Sequence, residues 1–294
     1  MSKILANKVA VITGGSRGFG LAVARAYIQE GASVLVASRS QKSVDLAVDQ
    51  LRKLGGRAEG ATCDVSQRHQ VHNLAIFALQ TFGHFDVWVN NAGLSAPYGP
   101  TVMIDPDEFV RVVNTNILGT YYGSIYAMRH FLDRDQGKLI NVLGRGHRQP
   151  APLQNAYGSS KAWINQFTLA LAAEYRHSGI GIFAFNPGMM ETDLLEKVEV
   201  LEGYEERLKI FETIRHMWSN QPEVPAQKAV WLASSATDGK TGLKVNVLNP
   251  VRLLSGVIRE GLRRLLGRPG PSLTTEITSV PAQLPNLNSD QGAA

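Results

Sequence analysis

Thr13-Gly14-Gly15-Ser16-Arg17-Gly18-Phe19-Gly20 stands directly behind the β-branched run at residues 9–12 and opens an Ala-rich stretch with helical spacing. Glycines at such a junction permit a tight turn and a close backbone approach to a ligand, and the free N–H groups and positive dipole end of the helix receive a phosphate. Alone, the pattern is also that of a plain turn between strand and helix. Its setting within a βαβ unit selects a pyrophosphate cradle built from Gly14, Ser16, Arg17, Gly18, Phe19 and Gly20. The end of the second strand then chooses the dinucleotide. A chain that prefers NAD places Asp or Glu there to hold the ribose hydroxyls, whereas this one reads Val36-Ala37-Ser38-Arg39-Ser40. With no carboxylate to repel a 2′-phosphate, Ser38, Arg39 and Arg17 predict NADP(H).

Working outward, β-branched runs recur at residues 9–13, 33–37, 86–89, 139–143, 180–185 and 244–247. Stretches with helical spacing lie between them at 21–30, 44–54, 70–82, 109–132 and 156–176. This alternation predicts an α/β fold, a doubly wound parallel sheet of about seven strands with helices on both faces, because each crossover helix must bury an apolar stripe. The sheet accounts for residues 1–250 as one domain. Residues 194–225 interrupt the alternation with a helical, mixed-charge segment carrying Tyr204, Phe211, Met217 and Trp218, a position suited to a flap over a site. Residues 251–267 form a basic amphipathic helix. Its expected use is packing within the protein or on another copy, with peripheral membrane contact as the weaker alternative. Residues 268–294 have little periodicity and read as a disordered tail.

The 294 residues, 44% hydrophobic and 19% charged, fit an ordinary globular chain without a transmembrane segment. The start of the chain lacks the pattern of a secretory signal, so the expected compartment is the cytoplasm. The one cysteine, Cys63, cannot form an internal disulfide and reads as a small buried apolar residue. A net charge of +5, partly gathered near the C-terminus, gives no argument for nucleic acid. No spacing of His, Cys, Asp and Glu points to a metal.

Further motifs follow in a fixed order: Asp64-Val65 after the third strand, Asn90-Asn91-Ala92-Gly93 after the fourth, Asn116 three residues before Gly119, Tyr157-Gly158-Ser159-Ser160-Lys161, and Asn186-Pro187-Gly188 followed by Thr192. Over roughly residues 5–248 the chain thereby resembles the short-chain dehydrogenases/reductases of the compact type. The resemblance implies a Rossmann fold. It also implies contacts from Asp64 and Val65 to the adenine, a cofactor flanked by Asn91, Ala92 and Gly93, and Pro187, Gly188 and Thr192 at the nicotinamide end. Asn116 would position a water for proton relay, and a homodimer or homotetramer would form through the helices at 109–132 and 156–176.

Tyr157 and Lys161, four positions apart in a helical stretch, share one face about a turn apart. An ammonium beside the phenol favours the phenolate, so this pair predicts a tyrosine whose proton comes off more readily than usual. It would protonate an alkoxide in reduction and take the hydroxyl proton in oxidation. One family feature is missing. The serine expected thirteen residues before the tyrosine, which polarises the substrate carbonyl, falls on Gly144. Another donor among Arg145, His147, Gln154 and Asn155 would replace it, or the strand is shifted, or catalysis is weak. Leu143, Gly144, His147, Leu153 and Met189 are the expected pocket residues, around a small-molecule carbonyl or alcohol. The competing function is a dinucleotide-binding regulatory or scaffold protein with little turnover.

Overall fold

A computed structural model describes residues 3–192, 195, 197–248, 250–266 and 275–282. Seven strands form one parallel sheet: β1 (Val9–Thr13), β2 (Ser33–Ser38), β3 (Ala58–Thr62), β4 (Val87–Asn90), β5 (Lys138–Val142), β6 (Gly181–Asn186) and β8 (Leu243–Asn246), in the order β3-β2-β1-β4-β5-β6-β8. The inner strands β1, β2, β4 and β6 are near-continuous apolar runs because both faces are covered, whereas the edge strands β3 and β8 are half-exposed. Ala10 and Ile12 bury against α1 (Gly18–Gln29), α2 (Gln41–Arg52) and α8 (Glu223–Ala233). Val9 and Val11, pointing the other way, bury against α3 (Arg68–Phe82) and α5 (Gly119–Leu132). The strand order reverses between β1 and β4, and in such sheets the crevice at the carboxyl edge of the reversal is where ligands bind.

The periodicity over 109–132 predicts one helix, but the chain is divided there. α4 (Pro106–Val112) passes into a π-helical segment, Val113–Leu118, before α5 begins. The wider turn accommodates an inserted residue, a device frequent at functional sites. α6 (Asn155–Glu174) crosses behind it. Beneath these helices runs a buried chain of amides and hydroxyls. Trp88 Nε1 donates to Asn90 Oδ1 (2.8 Å), Asn90 Nδ2 to Asn141 Oδ1 (2.8 Å) and Ser124 Oγ (3.1 Å), and Asn141 Nδ2 to Thr168 Oγ1 (3.0 Å). Fully bonded networks of this kind rigidify, and this one fixes α5 and α6 against the ends of β4 and β5.

Two expectations are corrected in the C-terminal third. The segment at 194–225 is not wholly helical: β7 (Lys197–Leu201) precedes α7 (Lys209–Trp218). The tail is ordered where it is described, because β9 (Glu276–Val280) pairs in parallel with β7 and exchanges its backbone groups there. The remainder of 268–294 lies outside the described residues. The basic helix forms as α9 (Pro250–Leu265) and packs on α7. Trp218 of the flap turns toward it, its indole N–H donating to the Leu253 carbonyl (3.1 Å). Among the described residues no helix is long and apolar enough to cross a membrane.

Candidate active site

The glycine loop is held from below by two residues. Thr13 Oγ1 accepts from the N–H groups of Asn91 (3.1 Å) and Ala92 (3.2 Å), and Asn91 Nδ2 donates to the carbonyls of Thr13 and Gly14 (both 3.0 Å). Gly14 has φ +64°, and a Cβ on Gly20 would overlap the Gly14 carbonyl, so neither position accepts a side chain. Asn91 therefore spends its side-chain amide on tying down the loop. Thr13, the other half of this clamp, escaped the sequence reading because its role is a contact between strand ends. Phe19 is buried against Phe185 and supplies only backbone to the cradle. Gly15 N–H donates to Ala37 O (3.1 Å), which brings the loop to the end of β2, where Arg39 is exposed. Ser38 Oγ is buried there with no hydrogen-bond partner among the described residues. An orphaned hydroxyl beside an arginine and no carboxylate fits a phosphorylated ribose.

Asp64 and Val65 sit past the end of β3. Asp64 accepts from Ser66 N–H (2.9 Å), and Val65 is buried against Gly119. Thr192 packs on Gly18, closing the far end of the loop, with the buried Pro187 and the half-buried Gly188 just before it.

Asn116, on the π segment and wholly buried, uses both ends of its amide. Oδ1 accepts from Leu94 N–H (2.9 Å), and Nδ2 donates to Leu94 O (3.0 Å) and to Ser160 Oγ (3.0 Å). It thus pins the strand exit at Gly93 to the helix that carries the reactive pair. Ser160, whose hydroxyl donates on to Tyr157 O (2.7 Å), is a second positioning residue not singled out from sequence.

Lys161, 4% exposed, donates from Nζ to Val142 O (3.0 Å), with Nζ 5.6 Å from the Tyr157 ring centre. Burial brings its pKa down to about 8 and pushes that of Tyr157 up to about 12. The sequence argument had the tyrosine shifted the other way. Desolvation, which penalises the phenolate, outweighs an ammonium that is aimed at a carbonyl. The phenol is therefore protonated throughout the neutral range.

Gly144 is the space that admits this hydroxyl: a Cβ there would overlap Tyr157 Oη. Tyr157 opens into a narrow pocket walled by Ser95, Ile104, Phe109, Leu153, Gln154 and Asn155. Leu153 holds φ +66°, a conformation rarely adopted by a branched side chain, at the mouth of this pocket. Of the expected pocket residues only Leu153 is among its walls; Leu143, Gly144, His147 and Met189 are not. Leu143 packs with Ile164 and Ala184, and Met189 O accepts from Asn220 N–H (3.0 Å). His147 Nδ1 lies 2.8 Å from Gly144 O and, facing a carbonyl, carries the hydrogen. Arg145 reaches Gln154 Oε1 (3.2 Å), and Asn155 reaches Thr101 Oγ1 (3.1 Å). Ser95, Ile104 and Phe109 were not read as site residues. Ser95 alone had a signal, two positions beyond Gly93.

The short chain dehydrogenase family model matches residues 8–202. A 3beta-hydroxysteroid dehydrogenase from Eggerthella lenta is 34% identical over 254 residues, spanning 86% of this chain and 96% of that protein. Among solved structures, a 3-ketoacyl-(acyl-carrier-protein) reductase from Brucella melitensis complexed with NADH superposes with a TM-score of 0.74 at 28% identity, covering 83% of this chain and 97% of that one. An actinorhodin polyketide ketoreductase variant with NADPH superposes at 0.75 and 28%, covering 84% and 97%. With the glycine cradle, the buried Asn116 and the Tyr157–Lys161 pair in their places on a seven-stranded sheet, this chain belongs to the short-chain dehydrogenases, a family of oxidoreductases.

Proposed function

We propose that the protein interconverts a ketone and a secondary alcohol with NADP(H), and that Tyr157 moves the proton. The carrying observation is a half-buried phenol that faces a pocket and has a desolvated lysine one helical turn away. When bound, the dinucleotide supplies or accepts a hydride. Gly14, Ser16, Gly18 and Gly20 would receive its pyrophosphate, Ser38, Arg39 and Arg17 its 2′-phosphate, Asp64 and Val65 its adenine, and Thr192 its nicotinamide end. Lys161 would hold the ribose hydroxyls from the amine that Val142 O now orients. Tyr157, protonated at neutral pH, is set to donate its hydrogen to an oxygen that gains negative charge during reduction, and the same group takes the hydroxyl proton in oxidation. Gly144 offers that oxygen no side-chain donor. Besides Tyr157, the polar groups of the pocket wall are Ser95, Thr101, Gln154 and Asn155. The names of the relatives, a hydroxysteroid dehydrogenase and two ketoreductases, support a ketone on a largely hydrocarbon frame as substrate.

Titration of the purified protein with NADPH and NADH, followed by a panel of ketones and alcohols read by absorbance of the reduced cofactor, tests this reading. Tighter NADPH binding with turnover is the expected result. Tight binding with no turnover on any member would favour a dinucleotide-binding regulator, and a preference for NADH would remove the role given to Arg17 and Arg39.

A further inference from the structure

Between α7 and α9 lies a groove of about 750 Å³, a volume typical of sites for small organic ligands. One wall is a single face of α9, with Ser255, Ile258, Arg259, Leu262, Arg263 and Leu266 at spacings of three and four. Its apolar members stay open to solvent, Ile258 and Leu262 each at 53% and Leu266 at 60%. The facing wall is the end of α7 and the turn after it, with Arg215, His216 and Ser219.

That second wall is polar, buried and unsatisfied. Arg215 is 1% exposed, yet no carboxylate pairs with it among the described residues. One of its terminal nitrogens donates to the Thr275 hydroxyl, while Nε has no partner among the described residues. His216 Nε2 and Ser219 Oγ are also buried without partners among the described residues. Orphaned groups of this kind call for an unseen partner, and a buried lone cation calls for an anion. The other charges of the groove are already engaged. Arg263 clasps Glu260 with both nitrogens (2.7 and 2.8 Å), Arg259 donates to the terminal carbonyls of α7 at His216 (3.1 Å) and Met217 (2.9 Å), and Glu191 takes the Gln221 amide. One guanidinium without a carboxylate partner among the described residues, with Glu191 and Glu260 nearby, selects a monoanion over a phosphate dianion.

We propose that this groove binds an amphipathic carboxylate, with its hydrocarbon body along Ile258, Leu262 and Leu266 and its carboxylate against Arg215, Ser219 and His216. None of these residues lines the Tyr157 pocket, so the site is separate from the catalytic one and the inference is independent of the proposed reaction.

Calorimetric titration of the full chain with decanoate, and with decanol as the neutral probe of equal length, tests it. Decanoate should bind once per chain with a roughly micromolar Kd, and decanol at least about tenfold more weakly. Arg215→Met should weaken decanoate by about tenfold or more and leave decanol unchanged. Because Arg215 is buried, Leu262→Asp on the open face is the second variant. It should remove binding of both probes while circular dichroism and NADPH affinity stay as in the parent chain. Tyr157→Phe should bind decanoate normally. Absence of saturable decanoate binding, equal affinity for both probes, indifference to both groove variants, or loss of binding in Tyr157→Phe would each overturn the proposal.

Discussion

Two parts of the carboxyl edge of the sheet meet at the candidate site and are built on different terms. At the cradle, the polar groups of Thr13 and Asn91 satisfy one another and the loop carbonyls, and the glycines leave no spare volume. At the reactive end, Lys161 is buried with a single carbonyl for company, Tyr157 Oη fills space that only a glycine at 144 leaves free, and Leu153 sits at positive φ. The first arrangement stabilises the fold whether or not anything is bound. The second costs folding free energy and keeps reactive groups desolvated, as strained functional sites do. Substitutions at the two ends should therefore fail in different ways: those at the reactive end should change chemistry and even gain stability, and those at the cradle should change affinity.

The largest effect is expected from Tyr157→Phe. Loss of the proton donor should lower kcat by roughly 10²- to 10⁴-fold with NADPH affinity within about twofold of the parent, since the cradle does not include this hydroxyl. A turnover assay paired with a fluorescence titration reads both numbers. A parallel fall in affinity would mean that the two ends are not separable.

Gly144→Ser comes next and separates geometry from analogy. If the family's hydroxyl were merely missing, restoring it should raise the rate. The structure predicts the reverse: the new Cβ takes the place of Tyr157 Oη, and displacing a reacting group by about an ångström costs roughly tenfold to a hundredfold in kcat. A faster variant would show that the tyrosine has another productive position.

This contrast also marks what could be read in the sequence. The cradle was legible because each part is local: strand, glycine turn and helix follow one another, and Tyr157 and Lys161 fall on one face by spacing alone. The reactive end was not, because its properties come from packing. Burial reversed the expected shift of Tyr157, and the pocket walls at Ile104 and Phe109 come from the turn before α4 and from α4 itself, which meet the site only in the folded chain. His147, a plausible donor in a list of polar residues, spends its Nδ1–H on the turn it belongs to. β9 went unread for a similar reason. Ile277 and Val280 are strand formers, but only pairing with β7 makes a strand of so polar a stretch.

Lys161→Met should raise stability near neutral pH. The amine titrates near 8 in the folded chain against 10.5 as its ordinary value. Between these limits the unfolded chain holds the extra proton, so stability rises with pH through the window, and the full deficit is present below about pH 8. A shift of that size is worth about 3 kcal/mol. Loss of the hydrogen bond to Val142 O returns about 1 kcal/mol, leaving the variant about 2 kcal/mol more stable at pH 7 and no better than the parent above pH 10.5. Urea unfolding of the cofactor-free protein at pH 7 and at high pH measures this, and a variant less stable at pH 7 would show that the lysine is not held at a cost.

The smallest effect belongs to the cradle. Arg39→Ala removes a cation from the end of β2 without touching the clamp formed by Thr13 and Asn91, so the fold and the pyrophosphate contacts should survive. A charge-assisted bond to a phosphate is worth about 1.5–3 kcal/mol, and Arg39 is exposed, so solvent and salt reduce it toward the lower end. NADPH affinity should fall about tenfold, NADH affinity should hold, and the difference should shrink as ionic strength rises. Fluorescence titrations of both dinucleotides at low and high salt give all three values. Equal losses for the two would place Arg39 on a group they share, and the preference for the phosphorylated cofactor would then have to rest on Arg17 and the orphaned Ser38 hydroxyl alone.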